Sequence, residues 1–334
     1  MTTGLPTIRV AAVQATPVLL DAEATIAKTV ELFDAAVDDG AGLVVFPECF
    51  VSIYPSGAWA AQAATWADGA DELWERMWAS SVDVTGPLVG RLVEACARRG
   101  AHLAIGVNER EDHRPGSLYN TLLIVGPGGV LARHRKLMPT MHERVFHGVG
   151  AGDDLDVVAL PGGPRVAGLI CWENRMPLAR WALYQGGPQI WVAPTADDSD
   201  GWIASMRHIA IEAGAFVVSV PQYIPRSAFP DDFPLPLPTD GDGFGRGGAC
   251  IVAPGGDVIA GPRYDGEATV AADCDLRQTL HVKRYFDAAG HYGRADVLAP
   301  RRASPHPAAP AIPAPAAEAA APAAPAEPMA ARGS

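Results

Sequence analysis

The chain has 334 residues, of which 49% are hydrophobic, and it carries a formal net charge of −12. This length and apolar content are enough for a large buried core, whereas the acidic balance argues against nucleic acid or an anionic membrane as the main partner, because both bind basic patches. No apolar run approaches the roughly 18 residues of a membrane-spanning helix, so a membrane-spanning protein is not predicted.

The first part of the chain alternates strand and helix patterns. Residues 7–14 predict a buried strand and not a signal peptide, because the apolar stretch contains Arg9 and lacks a basic leading segment. Apolar positions at helical spacing predict a helix over 21–39, and GLVVFPE at 42–48 predicts a second strand. Four tryptophans within 55–83 indicate a helical insertion.

A further helix and a group of strands complete this half of the chain. Thr85 is the predicted N-cap of a helix that ends at Gly100. Three strand patterns follow without a helix between them, at 102–107, 120–126 and 130–136. The turn GPGG joins the last two patterns, which predicts a hairpin.

The second half repeats this alternation. Strand patterns occur at 166–170, 190–194, 216–220 and 249–253, followed by DVIA and ATVAAD, and helix patterns occur at 177–186, 202–213 and 275–286. Helices between strands, together with strand-to-strand hairpins, predict two packed sheets with helices outside. The Pro- and Ala-rich sequence from 303 onward cannot form a core, so we predict one domain over 1–302 and a disordered tail over 303–334.

Five cysteines offer candidate thiol chemistry, at positions 49, 96, 171, 250 and 274. They form no C-x-x-C pair and leave one over, which suits a cytoplasmic location better than a disulfide framework. Most lone cysteines at such positions are small buried hydrophobic residues. Cys171 differs because it follows the apolar run RVAGLI, where a strand-to-helix turn would expose its sulfur beside backbone N–H groups. It is a candidate nucleophile, although a thiol with an ordinary pKa of about 8.5 needs activation.

Two charged residues close other predicted strands. Glu48 follows LVVFP, and an exposed loop acid is an equally good interpretation of that residue alone. Lys136 ends VLARHRK, whereas the other two lysines of the chain, Lys28 and Lys283, lie in predicted helices and are expected to be solvated. Because Glu48, Lys136 and Cys171 are of different chemical type and each closes a strand, they predict one convergent site.

Neither a metal nor a dinucleotide is predicted. The histidines at 134, 142, 147, 208 and 291 lack a local signature that ties them to Cys171. HERVFH places its histidines at i and i+5, which misses the i, i+4 spacing of the H-E-x-x-H zinc motif. GFGRGG at 243–248 matches G-x-G-x-x-G, but it enters a strand instead of opening a helix, which argues against a dinucleotide site.

Several ordered blocks of the sequence resemble those of nitrilases in the carbon–nitrogen hydrolase superfamily. The blocks are FPECFVSIYPSG, RHRKLMPT followed by HER, CWENRMPL, APTADDSDGWIASMRHIAIE and YFDAAGHYGRADV. The resemblance covers residues 7–298 and looks closest to the plant-type nitrilases and their bacterial relatives, in which tryptophan follows the nucleophile.

The resemblance implies an α/β fold, a four-layer αββα sandwich with a Glu–Lys–Cys triad. Carried over by motif, the triad is Glu48, Lys136 and Cys171, and the second family glutamate, which positions substrate and lysine, is Glu143 in HER. The implied reaction hydrolyses an organic nitrile to a carboxylic acid and ammonia through a thioimidate and a thioester on the cysteine. It requires no cofactor and no metal.

The substrate pocket and one departure from the family follow from the same blocks. Tyr54, Trp59 and Trp172 suggest an aromatic-lined pocket, although tryptophans clustered in one insertion are as often packing residues. Where nitrilases commonly have a tryptophan–glycine pair and a GDG turn, this chain has FHGVGAGDDL. The change lies beside Glu143 and leaves the triad complete, so we expect it to alter the pocket shape or a subunit contact.

Other functions stay open at this point. An aliphatic amidase or carbamoyl-amide hydrolase shares the triad, although CWEN and YFDAAGHY favour a nitrilase, and a cyanide hydratase, which stops at the amide, is a closer alternative. A non-catalytic assembly protein is disfavoured because all three triad residues are present. Since relatives form dimers and spiral filaments, the resemblance implies a homodimer or a higher homo-oligomer, with a small-molecule nitrile as the substrate. Which nitrile it takes is left open.

Overall fold

The described part of the chain covers residues 4–237 and 243–298 of a computed structural model. The chain divides into one unit that ends at Gly293 and a second unit that begins at Arg294. In the second unit the described residues hold one short helix, and the predicted tail at 303–334 lies outside the described residues. No helix of the described ranges is long and apolar enough to cross a membrane.

The strands of the described residues form two sheets. They are β1 (Thr7–Gln14), β2 (Leu43–Val45), β3 (His102–Arg110), β4 (Leu118–Gly126), β5 (Gly129–Arg135), β6 (Val158–Ala159), β7 (Arg165–Gly168), β8 (Ile190–Thr195), β9 (Phe216–Pro221), β10 (Tyr223–Pro225), β11 (Gly243–Val252), β12 (Val258–Tyr264) and β13 (Ala268–Asp275). The first sheet has the order β13-β1-β2-β3-β4-β5, and the second has the order β10-β11-β9-β8-β7-β6 with β12 paired to β11.

Helices connect these strands. They are α1 (Ala22–Asp38), α2 (Gly57–Ala63), α3 (Ala70–Ala79), α4 (Pro87–Arg99), α5 (Glu143–Phe146), α6 (Pro177–Tyr184), α7 (Asp200–Ala213), α8 (Arg277–Lys283) and α9 (Ala295–Leu298), with 3₁₀ turns at Cys171–Arg175 and Arg226–Ala228. Strands β1, β2 and β3 run parallel in the first sheet, as β7, β8 and β9 do in the second. Parallel neighbours bring their carboxyl ends to one edge of a sheet, and this edge carries the candidate residues.

Three apolar clusters define four layers. Between the sheets, side chains such as Val45 of β2 pack in one cluster with side chains such as Val192 of β8. The outer face of the first sheet packs on α1 and α4, for example through Phe33, and the outer face of the second sheet packs on α6 and α7, for example through Met206. The αββα sandwich predicted from the family resemblance is therefore confirmed.

Several boundaries differ from those predicted. The strand predicted at 42–48 ends at Val45, because Pro47 cannot donate to a ladder. The insertion at 55–83 contains two helices, separated where Gly69 has φ +88° and packs so tightly that an added Cβ would lie 2.3 Å from the carbonyl oxygen of Pro234. The predicted cap at Thr85 is wrong: Gly86 is the N-cap of α4, and the Thr85 hydroxyl donates to Asp83 instead.

The two lysines expected to be solvated differ from each other. The ammonium of Lys28 pairs with the Glu267 carboxylate at 2.6 Å and stays partly exposed. Lys283 is half-buried at the end of α8, and burial lowers its pKa. The prediction for Lys283 is therefore wrong, because the apolar stem of this side chain lies against the backbone at Gly214.

Candidate active site

The four predicted catalytic residues all follow or begin short elements. Glu48 comes three residues after β2, and Lys136 comes directly after β5, so the first sheet carries both. Glu143 is the first residue of α5, and Cys171 begins the 3₁₀ turn that follows β7 of the second sheet. The structure brings Glu48, Lys136 and Glu143 into direct contact, and the two sheets must pack together to place Cys171 beside them.

Lys136 is the centre of this cluster. Its side chain is completely buried, and its ammonium nitrogen lies 2.7 Å from Glu48 Oε1 and 2.7 Å from Glu143 Oε2. Burial opposes the charge of the ammonium group, but the two carboxylates outweigh it and raise the pKa of Lys136 well above its ordinary value. Lys136 is therefore a fixed positive charge between two acids.

The Glu48 carboxylate is held by donors from both sheets. Oε1 also accepts a hydrogen bond from the Asn120 amide at 2.7 Å, and Oε2 accepts one from the backbone N–H of Ala196 at 2.7 Å. Burial raises the pKa of Glu48, and the Lys136 charge offsets this only in part. A carboxylate with a raised pKa is a stronger base than an exposed one, which suits proton abstraction.

Cys171 has an uncommon backbone conformation, with φ +50°. Its sulfur accepts a hydrogen bond from the Thr195 hydroxyl at 3.1 Å, and Thr195 adjoins the Ala196 N–H that binds Glu48. Burial, followed by the negative charge of Glu48, raises the pKa of the Cys171 thiol to about 12. The resting group at neutral pH is therefore the thiol. The prediction that the turn exposes the Cys171 sulfur is wrong, since the residue is only 3% exposed.

Glu143 accepts from a shell of donors. Besides Lys136, its Oε2 accepts from the Thr140 backbone N–H at 2.8 Å and from the Tyr54 hydroxyl at 3.2 Å. Its Oε1 accepts from the Asn120 amide at 2.8 Å. Burial alone would raise the pKa of Glu143, but the charge of Lys136 and the contact with His147 lower it below its ordinary value, so Glu143 stays ionised.

A third buried acid of the site, Glu173, connects the 3₁₀ turn of the nucleophile to the strand that precedes the lysine. Glu173, two residues after Cys171, accepts from the backbone N–H groups of Ile170 and Leu137. His134 on β5 contacts Glu173 at 3.1 Å through Nε2 and Asp154 at 2.9 Å through Nδ1. Burial opposes its charge, but the two acids raise the pKa of His134 to about 9. His134 is thus engaged with these acids rather than with the thiol.

These supporting residues were not found from the sequence. Glu173 lies in the CWEN block, two residues after Cys171. Its proximity to the nucleophile is the local signal that could have identified it. Asn120 lies within a plain strand pattern, and its amide nevertheless bridges Glu48 and Glu143. Its own oxygen, Asn120 Oδ1, is buried without a hydrogen-bond partner in the described part of the chain.

A pocket of about 380 Å³ opens above the thiol. Its lining includes Tyr54, Met141, Cys171, Trp172 and Asp197. The Trp172 ring is 43% exposed, and its indole N–H donates to Asp197 Oδ2 at 2.8 Å, which fixes the ring beside the thiol.

Trp59, the third residue expected to line the pocket, is not brought there. It is fully buried and packs edge-on against Phe146 and Phe233, with ring centroids 6.4 and 5.5 Å away. The placement of Trp59 at the substrate is therefore corrected to a packing role in the insertion. Among the residues at 4–237 and 243–298, no group of three or more His, Cys, Asp or Glu is arranged to hold a metal ion.

Comparison with known proteins identifies the family of this chain. The family model described as "Carbon-nitrogen hydrolase" matches residues 9–284, so the chain belongs to the carbon–nitrogen hydrolase family. It is 44% identical over 293 residues to the aliphatic nitrilase of Sinorhizobium fredii, covering 87% of this chain and 94% of that one. It is 42% identical over 302 residues to Nitrilase 1 of Arabidopsis thaliana, covering 87% and 86% of the two chains. The predicted resemblance to nitrilases is confirmed.

Two further matches bear on activity and on fold. A bifunctional nitrilase/nitrile hydratase of Nicotiana tabacum is 40% identical over 305 residues, covering 88% of this chain and 85% of that one. The crystal structure of Nit3 of Saccharomyces cerevisiae superposes with a TM-score of 0.67 at 19% identity, covering 88% of this chain and 98% of that one. The structural match supports the fold alone.

Proposed function

We propose that this chain hydrolyses organic nitriles to the carboxylic acid and ammonia, with Cys171 as nucleophile, Glu48 as general base and Lys136 as the electrostatic stabiliser. One observation carries the proposal: a thiol at the base of an apolar pocket adjoins a buried carboxylate–ammonium–carboxylate cluster. Similarity to nitrilases selects the nitrile as the substrate class.

The first half of the reaction forms a thioimidate. Glu48 accepts the Cys171 proton as the sulfur attacks the nitrile carbon, because a thiol whose pKa is about 12 is a poor nucleophile until it loses that proton. A carbon–sulfur bond forms, one π bond of the nitrile breaks, and the nitrogen takes up the proton from Glu48. Lys136 and the backbone N–H of Trp172 stabilise the negative charge that develops on this nitrogen.

The second half releases the products. Water adds to the thioimidate carbon to give a tetrahedral intermediate, and the carbon–nitrogen bond breaks as ammonia leaves, which forms a thioester. A second water then cleaves the carbon–sulfur bond and returns the thiol and the acid. If the tetrahedral intermediate expels the sulfur instead, the product is the amide, so the ratio of acid to amide reports which bond breaks.

The pocket favours an uncharged organic nitrile. Two acids line it, Asp197 and Asp198. Asp197 is already engaged by the indole of Trp172 and by Arg175, whose guanidinium lies 3.0 Å away. Asp198 Oδ2 accepts from the backbone N–H of Arg246 at 2.8 Å. Aromatic and apolar groups of Tyr54, Met141 and Trp172 form much of the remaining wall. A volume of about 380 Å³ accommodates a substituent far larger than hydrogen cyanide, which argues against cyanide hydratase as the main activity.

Three further parts of the proposal rest on sequence. The catalytic domain extends over residues 1–302, the cysteine pattern favours the cytoplasm, and the family resemblance favours a homodimer or a larger homo-oligomer, with the spiral filament as its extended form.

The test measures ammonia, acid and amide released from a panel of aliphatic, arylaliphatic and aromatic nitriles. We expect turnover of at least one uncharged nitrile by the wild-type chain and loss of turnover in Cys171→Ala. The matched control is Cys96→Ala, because Cys96 is also buried but belongs to the outer cluster under α4. A folded Cys171→Ala variant that releases ammonia at the wild-type rate would contradict the proposal.

A further inference from the structure

His147 contacts the candidate active site through Glu143. It follows α5, four residues after Glu143, and its side chain is completely buried. Its Nδ1 lies 3.3 Å from Glu143 Oε1, and its Nε2 lies 2.7 Å from Asn108 Oδ1. This histidine stands in FHGVG, the block in which the sequence departs from the common nitrilase pattern.

The hydrogen-bond network fixes a proton on Nε2. The Asn108 amide contacts the backbone carbonyl of Ile53 at 2.7 Å. A carbonyl oxygen can only accept, so the NH₂ group of Asn108 faces Ile53 and the amide oxygen faces His147. That oxygen also only accepts, and the Nε2 atom of His147 must therefore carry a hydrogen.

The other ring nitrogen faces an ionised carboxylate. The three remaining protein side chains at Glu143, those of Lys136, Asn120 and Tyr54, all donate to it. A neutral His147 with its proton on Nε2 would present a lone pair to Oε1 of this carboxylate, which is repulsive. A proton on Nδ1 removes the repulsion and makes the ring an imidazolium.

We propose that His147 is held as an imidazolium and acts as a positioning residue that keeps Glu143 ionised and in place for nitrile hydrolysis. The buried cluster then contains two carboxylates, Glu48 and Glu143, and two cations, Lys136 and His147. Without the second cation, Lys136 would balance both acids alone, and the site would hold an uncompensated negative charge. When His147 is an imidazolium, it balances the charge of Glu143, and the charge of Lys136 is available to stabilise the reacting nitrogen.

The surroundings define which groups could also titrate. The charged groups facing His147 are Glu143, at the start of α5, and Lys136, on the far side of Glu143. Two further titratable residues, Tyr119 of β4 and Asp71 of α3, border a surface pocket that His147 also lines. Tyr54, from the loop after β2, reaches Glu143 from the pocket side. Strand β3 contacts His147 through the neutral amide of Asn108.

The sign of the pH dependence follows from this arrangement. If the active form needs the imidazolium, turnover is present at lower pH and is lost in an alkaline transition. Cys171, Tyr54 and Lys136 do not compete for this transition, because the pKa of each is raised to about 12 or well above its ordinary value. His134 does compete, since its pKa is about 9.

The first test compares pH profiles of kcat and KM. We expect His147→Gln to lower kcat roughly 10-fold or more, the effect of losing a hydrogen bond to a charged group, and to remove the alkaline decline, with little change in KM. His102→Gln is the matched control, because it replaces a buried histidine at the start of β3 outside the cluster. If folded His147→Gln kept the same decline of kcat at alkaline pH, or if that decline shifted only in His134→Gln, the proposal would be overturned.

A second measurement reads the protonation state without using activity. In wild-type protein labelled with ¹⁵N-histidine, the His147 ring, assigned with His147→Trp, should show two protonated nitrogens at neutral pH. One protonated and one bare nitrogen would overturn the proposal even if His147→Gln failed to fold. The proposal presupposes nitrile hydrolysis only for its effect on turnover, so an imidazolium signal in a chain without nitrile turnover would count against the proposed function alone.

Discussion

Replacing Lys136 by arginine separates charge balance from transition-state stabilisation. The ammonium of Lys136 lies 2.7 Å from one oxygen of each of two carboxylates, in a position with no exposed side-chain surface. A planar guanidinium keeps the charge but is larger, and overpacking a closed core position costs about 1–3 kcal/mol. Losing one donor aimed at the developing charge typically costs about 10²–10³ in turnover. We therefore expect turnover of Lys136→Arg to fall at least ~10²-fold, with a smaller change in substrate binding.

The assay is kcat and KM for the best nitrile of the panel, with the thermal midpoint measured in parallel to establish folding. Lys28→Arg is the control, because Lys28 also pairs with a glutamate but lies partly exposed near the start of α1. This control should stay close to wild type. If folded Lys136→Arg retained a near-wild-type rate, a positive charge at this position would be sufficient, and the proposed contact of the Lys136 ammonium with the reacting nitrogen would be refuted.

Two further changes test the framework around the site. Gly106→Ala should lower turnover roughly 10²-fold, because the new Cβ would lie 2.5 Å from the Glu48 Cα and the Cys49 backbone nitrogen and would displace the base. The control is Gly90→Ala, which adds a methyl group in open space on α4 and should be neutral or stabilise the fold by about 1 kcal/mol. Full turnover in folded Gly106→Ala would refute the reasoning. Truncation after Arg302 should leave turnover and sedimentation unchanged, since a Pro- and Ala-rich segment buries little surface; a loss of either would show that the tail contributes.

The sequence predicts the site residues that end strands better than the residues that support them. Glu48, Lys136 and Cys171 each close a predicted strand, and polar groups in that position converge when neighbouring strands share an edge. The Ala196 N–H that binds Glu48 is 148 positions away along the chain, and it belongs to the other sheet. No local pattern encodes a contact that forms only when two sheets pack.

Trp59 and Thr85 show where local patterns mislead. A tryptophan in an amphipathic insertion has the same spacing whether its ring faces a pocket or a cluster of phenylalanines, and Trp59 does the latter. Threonine before a helix is a common cap, but the Thr85 hydroxyl and backbone N–H both bind the Asp83 carboxylate, which moves the helix start to Gly86. In both cases a tertiary or neighbouring polar contact competes with the local preference.

The pairing of β1 with β13 has a consequence for how the protein is made. Every residue of β1, from Thr7 to Gln14, pairs with a residue of β13, between Asp275 and Ala268. Because synthesis runs from the N-terminus at about 5–20 residues per second, the partner strand emerges about 260 residues later, roughly 13–50 s after β1. Throughout that interval the outer edge of β1, in which five of the eight residues are apolar, is available to other nascent chains. Protection of this edge during synthesis is therefore expected to raise the yield of folded protein.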